Sequence, residues 1–167
     1  MLIRDLFSDA PLQQDVLVSL DLQRLLNEPI DIASDWNRTE RLLLTTMNRM
    51  PDQCEIKIAL YKMYAYAGRF DQSRELIYQV LEQTSARSGF SADWRQLDST
   101  SAHWKNPRGD IRLYLYSLKA LGFVSLRAGN IPLAHDVLEK LLSLDPLDEV
   151  GGSVVFEMAE SLLEESA

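Results

Sequence analysis

The chain is poor in the residues that carry the commonest chemistries. It has one cysteine, Cys54, in 167 residues, which excludes an internal disulfide framework and a cysteine-rich metal site. Its two histidines, His103 and His135, stand far apart with no carboxylates at a fixed ligand spacing, so no metal site and no cofactor is expected. Seven glycines and six prolines leave little room for flexible linkers. No apolar run reaches the roughly 18 uncharged residues that a membrane-spanning helix needs. The opening Met1-Leu2-Ile3-Arg4-Asp5 meets charge at once, so no secretory signal is expected. A cytoplasmic protein is the consistent expectation, and the Asn37-Arg38-Thr39 sequon is then a chance match.

Positive charge is also scarce. Seventeen Lys and Arg face 25 Asp and Glu, for a net charge of -8 and a pI of about 4.7. Phosphate backbones reward clustered cations, so an acidic chain without a basic run argues against nucleic-acid binding. Anionic membrane surfaces are disfavoured for the same reason. Partners with basic or mixed surfaces are the easier expectation. The 46% of apolar and 25% of charged residues are ordinary globular values, and the length suits about one domain with a real core.

What the chain does have is helical periodicity. Apolar residues recur at spacings of three and four from Ile56 to Ala67 and from Gln72 to Gln83, which predicts two helices. Gly68 lies between them, where a helix end favours a residue that tolerates positive φ, and Asp71 is placed to cap the second helix. The layout then repeats. Ile111 to Ala128 reads as a helix, Gly129 stops it, and Pro132 suits the first turn of the next. That helix runs through Ala134, Val137, Leu138, Leu141 and Leu142 to Leu144, where Asp145-Pro146 ends it. Two antiparallel hairpins of one design predict an all-α repeat architecture.

The residues at the repeated positions resemble the tetratricopeptide repeat (TPR) family, whose unit is about 34 residues long. In 115–148, Leu121-Gly122, Gly129, Ala134, Leu138 and Pro146 fall at the family's places, and the small Gly122 and Ala134 are expected to face each other so that two helices approach closely. In 54–87, Leu60, Tyr64, Gly68, Phe70 and Ile77 fit, while Tyr61, Ser73 and Ser85 replace the small and proline positions. A degenerate repeat over 20–53 keeps Leu26, Leu43 and Pro51, with a turn lengthened through Pro29 to Asp35. The remainder, 149–167, with Ser153 to Glu164 at its centre, reads as the polar-sided capping helix that a TPR-like α-solenoid needs at an open end. The expected whole is one domain over 1–167.

Gly68 and Gly129 lie 61 residues apart; less one repeat of about 34, this leaves roughly 27 inserted residues. The insertion, assigned to 88–114, carries Trp94 and Trp104, two of the three tryptophans. Three roles are open to it: a lid over the groove, a seal between repeats, or a mobile loop.

The resemblance implies a concave face lined by the first helix of each hairpin and used to bind a peptide or partner helix. Carried over by position, that lining comprises Glu55, Ile58, Lys62, Ala65 and Tyr66, then Tyr116, Lys119, Phe123, Leu126 and Arg127. Lys62, Lys119 and Arg127 interleaved with Tyr66, Tyr116 and Phe123 suit the carboxylates and apolar side chains of a peptide. The alternative is that the aromatics are core and the cations are ordinary solvated positions. The carboxylate-clamp subtype needs an Asn where Lys62 and Phe123 stand, and is not expected.

Catalytic groupings are thin. His103 lies near Asp98, Ser99 and Ser101, but without a glycine elbow or phosphate loop, and no enzyme activity is expected. Cys54 reads as a partly buried helix-start residue and His135 as a surface one. Asp145, Asp148, Glu149, Glu157, Glu160, Glu164 and Glu165 form an acidic edge, read as a solubilising cap or as a docking edge for a basic partner. The sequence therefore predicts a non-enzymatic protein-interaction module, an adaptor or assembly chaperone. Its rivals are a self-associating structural subunit and an enzyme centred on His103.

Overall fold

The computed structural model describes residues 33–166. Residues 20–32 of the degenerate 20–53 repeat, Leu26 among them, thus lie outside the described residues. Among the described residues there are six α-helices and no strand. They are α1 (Trp36–Arg49), α2 (Cys54–Tyr66), α3 (Phe70–Ser88), α4 (Gly109–Arg127), α5 (Ile131–Leu144) and α6 (Ser153–Ser166). A short 3₁₀ turn, Trp94–Gln96, interrupts the connection from α3 to α4. Each helix packs on the next along the chain, and α4 also touches α6.

The two hairpins, α2–α3 and α4–α5, are closed by the same device. Gly68 and Gly129 take left-handed φ values of 75° and 88°, which only glycine adopts without strain. Past each glycine the chain folds back, so that the Arg69 amide donates to the Tyr64 carbonyl and the Asn130 amide to the Ser125 carbonyl, both at 2.9 Å. Gly68 and Gly129 donate in turn to Ala65 and Leu126 at 3.1 Å. These bonds satisfy the carbonyls that a helix end leaves over. The reversal is so tight that α3 begins at Phe70 with Arg69 in the cap position, making no side-chain cap bond. Asp71 therefore sits inside the first turn, paired with Arg74, and is not the cap that its spacing suggested. Asn130 does cap α5, accepting from Leu133 N at 3.3 Å, and Pro132 lies in the first turn.

Within the second hairpin the close approach is real. A methyl added to Gly122 would lie 2.5 Å from Leu138 Cγ. Gly122 therefore makes room for Leu138 of α5, on which Ala134 is also fully buried. In the first hairpin the position equivalent to Gly122 is Tyr61. Its carbonyl accepts a 2.7 Å bond from Ser73 Oγ, and its hydroxyl pairs with Ser117 Oγ of α4 at 3.2 Å. One hairpin is thus closed by an apolar side chain on a glycine, the other by a hydroxyl on a backbone carbonyl.

The connection through 89–108 is packed. The first residues of α4 come from the segment assigned to the insertion, so its non-helical part is shorter than 88–114. Phe90 meets the Tyr114 ring edge-on at 4.9 Å and the Trp104 ring at 5.1 Å. The Tyr114 hydroxyl donates to Ala92 O, Trp104 Nε1 to Asp98 O and Lys140 Nζ to Leu97 O, at 3.1, 2.8 and 2.6 Å. Loop backbone that would otherwise lack partners is satisfied by α4, by α5 and by the loop itself. Trp94 and Trp104 are both buried.

Replacing Gly122 with Ala forces Leu138, which is fully buried, off its position. We expect a loss of about 1–3 kcal/mol, read as a drop in Tm of roughly 2–4 °C per kcal/mol for a domain of this size. An unchanged melting curve would show that α4 and α5 can separate freely at this point.

Candidate functional site

Helical spacing brings the expected residues to one side of two helices. Lys62, Ala65 and Tyr66 share a face of α2, and Tyr116, Lys119, Ala120 and Phe123 share a face of α4, because residues three and four apart stack. Together they line a concavity of about 260 Å³, with Tyr61 and Val124 on its walls and Val155 of α6 closing one end. The bond between Tyr61 and Ser117, buried beneath it, ties α2 to α4.

The cations gather round aromatic faces. The Tyr116 ring has Lys62 Nζ at 6.0 Å and Lys119 Nζ at 5.9 Å from its centroid, a range in which the ring quadrupole attracts an ammonium. Lys119 also donates to Val150 O at 3.0 Å, so it braces the connection between α5 and α6 and is not a freely solvated position. Arg127 lies outside the lining, with its guanidinium 6.0 Å from the Phe123 ring. Tyr66 is 61% exposed and Lys62 only 7%. The rest of the positional carry-over fails for a physical reason. Ile58, Leu126 and Glu55 are buried away from the concavity and do not line it, because α2 and α4 are covered on more than one side. Burial pushes the Glu55 carboxyl above its usual range.

Trp94 and Trp104 do not line the concavity. Tyr114, which carries the Trp104 cluster, is two residues from Tyr116 and so lies roughly 200° round α4 from it. The insertion packs behind that helix, on α4 and α5.

His103 is exposed. Asp98, its candidate partner, instead accepts from Thr100 N, at 2.8 Å, and from the Thr100 hydroxyl. Those bonds, the Thr100 hydroxyl first, lower its pKa. His135 stands against Phe156 with ring centroids 5.1 Å apart. His135, Asp136 and Glu139 each bring one ligand atom within 4.8 Å of the others; they are the residues that could take a divalent ion, and the sequence reading passed over them because it looked for two histidines together. The acidic edge divides. Asp145 is buried and accepts from the Glu149 and Val150 amides at 2.9 and 3.0 Å, and Asp148 accepts from Ser153 N at 3.0 Å and from its hydroxyl. Both hold the turn before α6, whereas Glu157, Glu160, Glu164 and Glu165 face solvent.

Comparison with known proteins adds one relative. The chain is 28% identical over 144 residues to an uncharacterized 19.8 kDa protein in the nifW 5′ region of Azotobacter chroococcum mcd 1, covering 79% of this chain and 81% of that one. No protein-family model and no solved structure matches the chain. No helix among the described residues is long and apolar enough to cross a membrane.

Cys54 opens α2 and is 1% exposed, and burial pushes its thiol up to about 11. The folded state holds the neutral thiol, so this contribution to stability is present below about pH 9 and is lost as pH rises toward 11. Iodoacetamide should therefore label the native protein far more slowly than the urea-unfolded chain at pH 8.5. Equal rates would mean that the start of α2 opens readily.

Proposed function

We propose that this chain is a non-enzymatic interaction module, an adaptor or assembly chaperone, whose concave face holds a segment of another protein. The observation that carries the reading is the convergence of Lys62, Tyr66, Tyr116, Lys119 and Phe123, from helices over fifty residues apart in sequence, round one open concavity. Ammonium groups beside aromatic rings offer a peptide both a partner for carboxylates and apolar contact area. An acidic segment or a C-terminus is the chemistry that matches. Two hairpins with the same closing bonds at equivalent positions support treating them as tetratricopeptide-like repeats of a short α-solenoid, with α6 as its end. The relative's nifW 5′ region suggests where a held chain is first sought, among proteins encoded beside the corresponding gene. A cytoplasmic setting fits this role.

The test uses two exposed residues, Tyr66 in the groove lining and Arg127 just outside it beside Phe123. Tyr66 and Arg127 are exposed, where substitutions usually alter stability by under about 0.5 kcal/mol. Wild-type protein used as bait in its native lysate should retain a stoichiometric partner. Tyr66→Ala and Arg127→Glu should each weaken capture, Tyr66→Ala by up to about 2 kcal/mol if it anchors the interface. His103→Ala should keep the partner in full. Retention of the partner by both groove variants would sink the reading.

A further inference from the structure

We propose that an exposed flank of α6 is a second docking surface, shaped for a basic amphipathic helix of another protein. A helix at the edge of a domain normally shows one apolar stripe, turned inward. α6 has its inward stripe in Val155 and Ala159, both buried, with Phe156 packed beside them. It also carries an exposed one beside it. Val154, Met158 and Leu162 are 64%, 46% and 36% exposed and recur every four residues, so they form a continuous ridge about 12 Å long. The ridge lies roughly 80° round the helix from the inward stripe, between that stripe and the polar side expected from the sequence, which Glu157, Glu160 and Glu164 occupy.

Charge selects the occupant. Glu157, Glu160, Glu164 and Glu165 are exposed on the same helix, and Ser153–Ser166 contains no Lys, Arg or His. An apolar ridge with a rim of one sign is complemented by a helix that carries its own apolar ridge between Lys or Arg. A second copy is the poorer match. An antiparallel isologous pairing sets like edge against like edge, which here opposes glutamate rims with no cation between them. An anionic bilayer surface is disfavoured by the same carboxylates.

The experiment titrates the full chain with two synthetic helical peptides that share one leucine ridge, flanked in one by lysine and in the other by glutamate. The lysine-flanked peptide should bind one to one, more weakly as salt rises, and the glutamate-flanked peptide about tenfold more weakly or worse. Met158→Glu and Leu162→Glu should each lower affinity for the lysine-flanked peptide about tenfold. Each adds a carboxylate that simple charge attraction would favour, so the loss isolates the ridge. Both positions are exposed, so helicity and melting should stay level and show that the variants fold. Equal binding of the two peptides, binding of neither, or indifference to Met158→Glu overturns the proposal. A dimer in sedimentation that Met158→Glu dissolves also overturns it, because a second copy would then be the occupant. Arg127→Glu should leave the peptide isotherms unchanged, which keeps this surface independent of the groove.

Discussion

Everything in this fold depends on covering α4. Of its 19 residues, ten are buried, from Leu113 to Leu126, and they point in nearly every direction round the helix. α3 lies on one side, α5 on another, α6 across one end, and the 89–108 connection behind, on Tyr114. Water is left to a single strip bearing Tyr116, Lys119, Ala120 and Phe123. The groove is thus the one side of α4 that no neighbour covers, and it is concave because α2 rises beside it.

That geometry explains the mixed chemistry of the strip. Tyr116 and Phe123 retain contact with the core, while the ammonium groups of Lys62, itself buried, and of Lys119 are held beside the Tyr116 ring. Holding two ammonium groups near one tyrosine face has a cost in charge repulsion, which the ring and the Val150 carbonyl offset on the Lys119 side. An incoming carboxylate would meet cations whose positions are already constrained, so less side-chain freedom is lost on binding.

Much of this was legible in the sequence. Gly68 and Gly129 announced the two reversals because a left-handed helix end has few alternatives to glycine, and the resemblance to tetratricopeptide repeats, carried over by position, named Lys62, Tyr66, Tyr116, Lys119 and Phe123 for one face. What periodicity cannot supply is the identity of the atom across the interface. Gly122 marked a close approach, yet only packing reveals Leu138 as its neighbour. Lys119 read only as a groove cation, because the carbonyl it donates to lies 31 residues away. Asp145 and Asp148 looked like part of an acidic edge until the turn at 145–153 drew their carboxylates onto its own amides. In α6 both Val155 with Ala159 and Val154 with Met158 and Leu162 satisfy helical spacing, and nothing local tells which stripe faces inward.

The placement of the aromatics has an optical consequence. Trp94 and Trp104 are buried in the connection packed on α4 and α5, and Trp36 lies beside Tyr64 with the Arg69 guanidinium 4.8 Å from its ring. Tyrosine and phenylalanine, but no tryptophan, line the concavity. Intrinsic tryptophan emission therefore reports on the packing of the 89–108 connection and on the α1 edge, and is nearly blind to the groove. A single indole introduced at Tyr66 would stand apart from these three in exposure, and hence in emission wavelength, giving the open side of α4 a spectral signature of its own.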